Sequence, residues 1–278
     1  MNNILQGAYD LHIHTAPDIV PRKCDDLELA KRMSASGMKG FAIKCHFAET
    51  GARAILLQKQ FPNMKIVGGI ALNRSVGGIN PYAVERAAQI GAKMLWFPTM
   101  DAFSYQKYHH INDAKADITE FLSLFNCYGK LKEEVYDVLD VAAKYKLVVA
   151  TGHVGANEGI AAVQAARQKG IEHVVLTHAD NPADSYTIEQ QLQCVRMGAL
   201  VEHSYFTTLK NRTPIEEIKR QIDVVGFENV FLTTDVGQPD SPYADVAMQE
   251  YIEQLESVGV MDSAIEYMIK DNPEMLIS

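Results

Sequence analysis

The chain has 278 residues, which is more than a minimal domain needs, too few for two full-sized domains, and a comfortable length for one (β/α) barrel. It carries 35 acidic against 26 basic side chains, a net charge of −9, which disfavours a nucleic-acid binder with a basic face and favours a small-molecule ligand. The 4 cysteines form no C-x-x-C pair, which disfavours a zinc knuckle and a disulfide framework. There is no leader-like start and no run of about 18 apolar residues, so we expect a cytoplasmic protein that does not enter a membrane.

Short apolar segments alternate with helical patterns along the whole chain, as in a parallel sheet covered by helices. Eight such segments span residues 9–14, 40–46, 65–72, 92–98, 146–153, 172–178, 198–204 and 228–235. They predict the α/β class and a single (β/α)8 TIM barrel that occupies residues 1–278 as one domain. The longest irregular stretch, 99–130, follows the fourth strand and is predicted to be an insertion that serves as a lid or binding loop.

Several helix boundaries carry their own signals in the sequence. A capping residue stands before a proline at Asn80-Pro81, Asn181-Pro182 and Thr213-Pro214, and each pair predicts a helix start. The glycines at 37, 91, 170 and 198 stand where the preceding helices are expected to end.

The stretch DLHIHTAP, residues 10–17, places two histidines one residue apart on the first predicted strand. Because side chains alternate along a strand, His12 and His14 are expected on one face and Leu11 and Ile13 on the other. Two imidazoles on one face can share a metal ion. The pair alone does not separate a metal site from a structural role.

Polar side chains recur where the predicted strands end, which is the end of a (β/α) barrel that carries active sites. They are His12 and His14, Lys44 and His46, His153, His178, Glu202 and His203, and Asp235. Imidazole and carboxylate are the usual ligands of Zn²⁺ and related ions. The pattern therefore predicts a metal-centred site at the mouth of the barrel.

These residues resemble the amidohydrolase superfamily of metal-dependent hydrolases, and the closing KDNPEMLIS is similar to the tail common in that superfamily. GMKGFAIKCHF is similar to an uncharacterised amidohydrolase-related group with Lys-x-His on strand two. The resemblance implies a TIM barrel with a divalent metal at its mouth. The ligands that it implies are His12, His14, Lys44, His153, His178 and Asp235.

One position departs from the superfamily pattern. Binuclear members bridge their metals with a carboxylated Lys or a Glu from strand four, whereas that strand ends here as Trp96, Phe97, Pro98 and Thr99. Either the site holds one ion, or Lys44 supplies the bridge from strand two as a carbamate. Zinc is the expected metal, with manganese, iron and nickel as alternatives.

The resemblance implies a metal-activated water that attacks an sp² carbon and cleaves a C–N or C–O bond of an amide, lactam or lactone. Asp235 would accept the proton, and His178 would bind metal or polarise the carbonyl. Arg74 is the best candidate for holding an anionic group of a small substrate, and His46 and His203 are expected to contact the substrate as well.

Other functions remain open at this point. A mononuclear site on the same scaffold supports deamination or decarboxylation. A PHP-type phosphoesterase also begins with a stretch similar to DLHIHT, although its later motifs are missing here. A catalytically silent barrel could keep a structural metal, and the chain could form a homo-oligomer.

Overall fold

A computed structural model of the chain describes residues 4–113, 117, 120–184 and 186–278. Residues 114–116 and 118–119 of the predicted insertion, and residues 1–3 of the predicted domain, therefore lie outside the described residues. The helices and strands named below all fall within the described ranges.

Eight parallel strands form one sheet in chain order from β1 to β8. They are β1 Tyr9–His14, β2 Gly40–Lys44, β3 Lys65–Ala71, β4 Met94–Trp96, β5 Val148–Ala150, β6 Val174–Leu176, β7 Leu200–Ser204 and β8 Val230–Thr233. Each strand lies within the segment predicted for it. The predicted (β/α)8 barrel is confirmed.

Helices follow every strand. They are α1 Asp26–Ala35, α2 Gly51–Gln60, α3 Pro81–Ile90, α4 Phe103–His109, α5 Glu133–Lys144, α6 Ala156–Gln168, α7 Ile188–Arg196, α8 Tyr205–Leu209, α9 Ile215–Val225, α10 Ala244–Ser257, α11 Asp262–Glu266 and α12 Asn272–Ile277. The segment between β4 and α5 carries α4. No helix in the described part of the chain is both long and apolar enough to cross a bilayer.

One of the predicted helix starts is confirmed and another is wrong. Asn80 caps α3, since its side chain accepts from the backbone of Tyr82 and Ala83. The start predicted at Asn181-Pro182 is wrong, because α7 begins six residues later with Thr187 as its capping residue. Residues 178–184 form a tight turn instead, in which the amide of Asn181 donates to the carbonyl of His178 at 2.8 Å.

The barrel closes where β1 meets the residues that follow β8. The amide of Asp235 donates to the carbonyl of His12 at 2.8 Å, and the amide of His14 donates to the carbonyl of Val236 at 2.9 Å. Ile13 forms a parallel bridge with Val236. We call these contacts the closing seam, and they place His12, His14 and Asp235 side by side in the backbone.

Apolar side chains pack in two layers. The inner layer fills the barrel with residues from alternate strand positions: Tyr9, Leu11, Ala42, Ala71, Met94, Trp96, Val148, Ala150, Val175, Leu200 and Phe231. The outer layer lies between strands and helices, and includes Ile13, Ile43, Leu95, Val149 and Leu232. Burial of the two layers supplies the main stabilisation of the barrel.

The prediction that Leu11 and Ile13 share a face is wrong. The pairing of β1 with β2 shifts register between Asp10 and Ile13. Leu11 therefore packs in the inner layer and Ile13 in the outer one. A bulge of this kind re-aims the side chains that follow it. His12 and His14 still face the same site.

The tail of the chain covers the far end of the barrel. Leu276 and Ile277 join the inner layer from α12. The side chain of Asn272 donates to the carbonyl oxygens of Phe227 at 3.2 Å and Val230 at 2.6 Å. In this structure the Asn-Pro tail therefore anchors α12 below β8, at the opposite end from the predicted site.

Candidate metal centre

Three ligand atoms converge beside the closing seam. Nε2 of His12 lies 3.0 Å and Nε2 of His14 lies 3.2 Å from Oδ1 of Asp235. These atoms lie within 4.8 Å of one another and could hold a metal ion. Both imidazoles are buried, whereas the Asp235 side chain is 14% exposed and faces the cavity at the barrel mouth. The donor set of two imidazoles and a carboxylate fits a divalent transition metal.

A buried glutamate orients the first of these histidines. Oε1 of Glu202 lies 2.6 Å from Nδ1 of His12, and Thr233 donates its hydroxyl to the same oxygen at 2.7 Å. A carboxylate on Nδ1 fixes the ring and leaves Nε2 for a metal. Sequence reasoning noted Glu202 at its strand end but gave it no role. The available signal was the alternation of side chains along β7, because Glu202 comes two residues after the inward-facing Leu200.

We expect Glu202→Gln to lower the affinity for the metal by about 10- to 100-fold, the usual effect of losing a carboxylate behind a ligating histidine. The neutral amide no longer favours the ring orientation and basicity that His12 needs. A zinc titration against a competing chelator measures the change. Glu256→Gln, on the exposed surface of α10, is the matched control. Equal zinc affinity in the wild type and Glu202→Gln would contradict this role.

His178 shows the same arrangement on the other side of the site. Oδ2 of Asp184 lies 2.6 Å from its Nδ1, and both side chains are buried. Burial alone would lower the pKa of His178, but the Asp184 carboxylate raises it to about 9. The tight turn at residues 178–184 brings Asp184 into place. The Nε2–H of His178 can donate to a substrate, and Nε2 can bind a metal only where the ion displaces this proton.

Five imidazole rings surround the site, and each lies next to the following one. Ring centroids are 5.5 Å apart from His12 to His14, 4.6 Å to His46, 5.6 Å to His153, 4.8 Å to His178 and 5.8 Å back to His12. Burial lowers the pKa of His46 and His153 well below the usual value. Their rings are therefore neutral at pH 7, the form that binds metals. The structure thus brings together five of the six histidines predicted at strand ends, and His203 is the exception.

Lys44 lies beside one of these rings, that of His12. Its Nζ is 2.8 Å from Nε2 of His12 and 5.3 Å from the ring centre of Trp96. The side chain is fully buried, and burial lowers the pKa of Lys44 to about 8. A neutral amine is therefore accessible near neutral pH, and only a neutral amine can be carboxylated.

The end of β4 supports His46 instead of offering a metal ligand. Nδ1 of His46 lies 2.8 Å from the hydroxyl of Thr99. Asn73 donates its side-chain amide to that hydroxyl at 2.6 Å and to the His46 carbonyl at 2.8 Å. The Thr99 hydroxyl accepts from Asn73, so it can donate its own proton to Nδ1 of His46. Nδ1 then acts as an acceptor, which favours the His46 tautomer with a proton on Nε2. Sequence reasoning missed Asn73, since nothing in its spacing marks it.

Left-handed backbone occurs at two of the site residues. The φ angle is 26° at His178 and 52° at Asp235, a region that residues other than glycine rarely adopt. Just after Asp235, Gly237 has a φ of 138°, and a Cβ there would lie 2.0 Å from the carbonyl oxygen of His14. Only glycine allows the chain to pass so close to the end of β1.

A cavity of about 210 Å³ opens above these groups. Its lining includes His14, His46, His153, His178 and Asp235, together with Arg22, Tyr105, Asn181, Arg212 and Gln238. Of the groups predicted from strand ends, His14, His46, His153, His178 and Asp235 thus face a common space, whereas His12, Lys44, Glu202 and His203 are not part of its lining.

Two predicted substrate contacts lie elsewhere. Arg74 is half-exposed beside the segment after β4, where its guanidinium binds the carbonyl oxygen of Glu120 and lies 5.3 Å from the ring centre of Phe121. His203 is fully buried, with Nδ1 3.1 Å from Oδ1 of Asp180. It follows Glu202 in β7 and therefore faces outward, away from the cavity.

The Family of unknown function (DUF6282) matches residues 7–202. The chain belongs to this family. The matched part runs from β1 to Glu202 in β7, and the residues of this subsection that follow it are His203, Arg212, Thr233, Asp235, Gly237 and Gln238. A search of curated proteins by sequence found no match.

Solved structures with the same fold include several enzymes. An amidohydrolase from Pseudomonas aeruginosa superposes with a TM-score of 0.63 at 11% identity, over 99% of this chain and 96% of that one. The probable dipeptidase PvdM from Pseudomonas aeruginosa gives 0.69 at 12%, over 99% and 95%. The 2,6-dihydroxybenzoate decarboxylase from Rhizobium gives 0.58 at 11%, over 98% of each chain. At such identities the likeness establishes the fold, which is the one that the resemblance to amidohydrolases predicted.

Proposed function

We propose that this protein is a metal-dependent hydrolase of the amidohydrolase type, which cleaves a C–N or C–O bond of a small anionic molecule. The observation that carries the proposal is the convergence of His12 Nε2, His14 Nε2 and Asp235 Oδ1 at the base of the cavity. The enzymes among the structural neighbours support it.

Zinc is the metal that this donor set fits, and the buried carboxylates behind His12 and His178 favour two binding positions. His12, His14 and Asp235 would hold one ion. His153, His178 and a carboxylated Lys44 would hold a second, which makes Lys44 the bridge that strand four does not supply.

A divalent metal bound here would lower the pKa of a coordinated water toward neutrality. Asp235 then acts as proton acceptor, because its Oδ1 faces the two imidazoles and its Oδ2 is left toward the cavity. Burial would raise the pKa of Asp235, but His12 and His14 hold it well below the usual value, so the carboxylate is ionised. His46, with a proton on Nε2, donates to a substrate oxygen.

The proposal is tested by elemental analysis of protein purified without chelator, followed by assays on amides, lactams and lactones. We expect bound metal, loss of turnover after chelation and recovery after zinc is restored; manganese, iron and nickel are compared in parallel. Absence of metal even after reconstitution would remove the basis of the proposal. Release of CO₂ without net consumption of water would assign decarboxylation to the same site, and release of ammonia with water oxygen taking the place of an amino group on a ring carbon would assign hydrolytic deamination.

A further inference from the structure

We propose that Arg212 binds a carboxylate group of the substrate and so selects small carboxylates with an apolar body. The inference rests on the proposed function, because it takes the cavity above the metal centre as the active site. It assigns the anion-binding role to a residue after β7, in place of Arg74.

Arg212 lies just after α8 and lines the cavity. Its guanidinium carbon is 5.2 Å from the ring centre of Phe206, so the ring supports the planar group from one side. Within the described ranges, no carboxylate lies within ion-pair distance of Arg212. A half-buried guanidinium without an acidic partner is ready to take one from a ligand.

The other arginine of the cavity differs in this respect. Nη2 of Arg22 lies 2.8 Å from Oδ2 of Asp18, and both side chains are almost fully buried. That ion pair cancels the charge of Arg22. One uncompensated guanidinium therefore faces the cavity, and apart from the charge of the metal its single positive charge matches the single negative charge of a carboxylate. The two parallel N–H groups of arginine also fit the two oxygens of a carboxylate.

A phenol stands near this guanidinium. Tyr105, on α4, lines the same cavity, and its ring lies 4.8 Å from the ring of His153. Burial raises the pKa of Tyr105, and the positive charge of Arg212 lowers it by less, so the hydroxyl keeps its proton. It supplies a neutral donor beside the charged one.

The size and walls of the cavity limit the remainder of the substrate. About 210 Å³ is less than the ~300–1,000 Å³ of sites for drug-sized ligands. The apolar part of the lining consists of Val20, Phe47, Met100 and Phe206. A compact apolar body with one carboxylate, of about the size of benzoate, fits this description.

The test uses metal-loaded protein and three probes of similar shape: benzoate, benzamide and phenylphosphonate. Isothermal titration calorimetry measures their binding to the wild type, Arg212→Gln, Arg212→Lys and the control Arg74→Gln. We expect benzoate to bind the wild type more tightly than benzamide, and to depend on Arg212 more than phenylphosphonate does, because the metal can also hold the phosphonate dianion. Arg212→Gln should weaken benzoate by about 10- to 100-fold, the usual range for a lost hydrogen bond to a charged group. Arg212→Lys should fall between them, and Arg74→Gln should match the wild type.

Equal binding of benzoate and benzamide to the wild type, or no binding of benzoate at all, would overturn the proposal. So would an equal loss in Arg212→Gln and Arg74→Gln, or a larger loss of phenylphosphonate binding than of benzoate binding in Arg212→Gln. Metal content is measured on the same samples. Normal metal content with unchanged benzoate binding in Arg212→Gln refutes the role of Arg212 and leaves the proposed hydrolase standing, whereas absence of metal refutes the hydrolase.

Discussion

Asp235→Asn is expected to keep the fold and lose most of the turnover, by about 100- to 10,000-fold, the usual contribution of a positioned proton acceptor. The amide is almost the same size as the carboxylate, and the backbone contact of residue 235 with His12 does not depend on the side chain. An amide, however, cannot take the proton that leaves the attacking water.

The measurement compares kcat at saturating zinc, with metal content and circular dichroism recorded on the same samples. Asp240→Asn is the matched control, since Asp240 is 72% exposed and pairs with Lys210 at 2.9 Å outside the cavity lining. A metal-loaded Asp235→Asn protein with wild-type turnover would rule out the proton-acceptor role.

Lys44→Ala is expected to lower the metal content from two ions per chain to one or none. The reason is that the carbamate at Lys44 would supply the bridge that β4 does not, since Trp96 at the end of β4 packs in the inner layer and Thr99 just after it is hydrogen-bonded to His46. Elemental analysis of protein purified without chelator measures the stoichiometry. A ¹³C NMR signal from a carbamate, after growth or dialysis with labelled bicarbonate, reports the modification directly in the wild type.

Lys44 is fully buried, so Lys44→Met is included to preserve most of the side-chain volume, and it should lose metal as Lys44→Ala does. Lys31→Ala, on the exposed side of α1, is the control. One ion per chain in both the wild type and Lys44→Ala would show a mononuclear site in which Lys44 faces the substrate.

The barrel and the core of its site could be predicted because they follow from periodicity. Parallel strands in a closed barrel all end at the same mouth, so His12, His14, His153, His178 and Asp235 had to meet once the strands were assigned correctly. Their meeting does not depend on the path of any loop.

What the sequence did not indicate depends on local backbone geometry. The bulge that separates Leu11 from Ile13 leaves no mark in the alternation of residues. Asp184 reaches His178 through a turn that resembled a helix start. Arg74 closely follows β3, whereas Arg212 follows β7 only after the short helix α8, and the path of each loop determines which one enters the cavity.

The closing seam joins the beginning of the barrel to its end. His14 and Asp235, whose side chains lie 3.2 Å apart, are separated by 221 positions along the chain. A ribosome therefore completes all eight strands before Asp235 exists, and contacts of such long range form late and slowly during folding. Until β8 docks, His12 and His14 belong to an open sheet, so the candidate metal site and the closed barrel form in the same step.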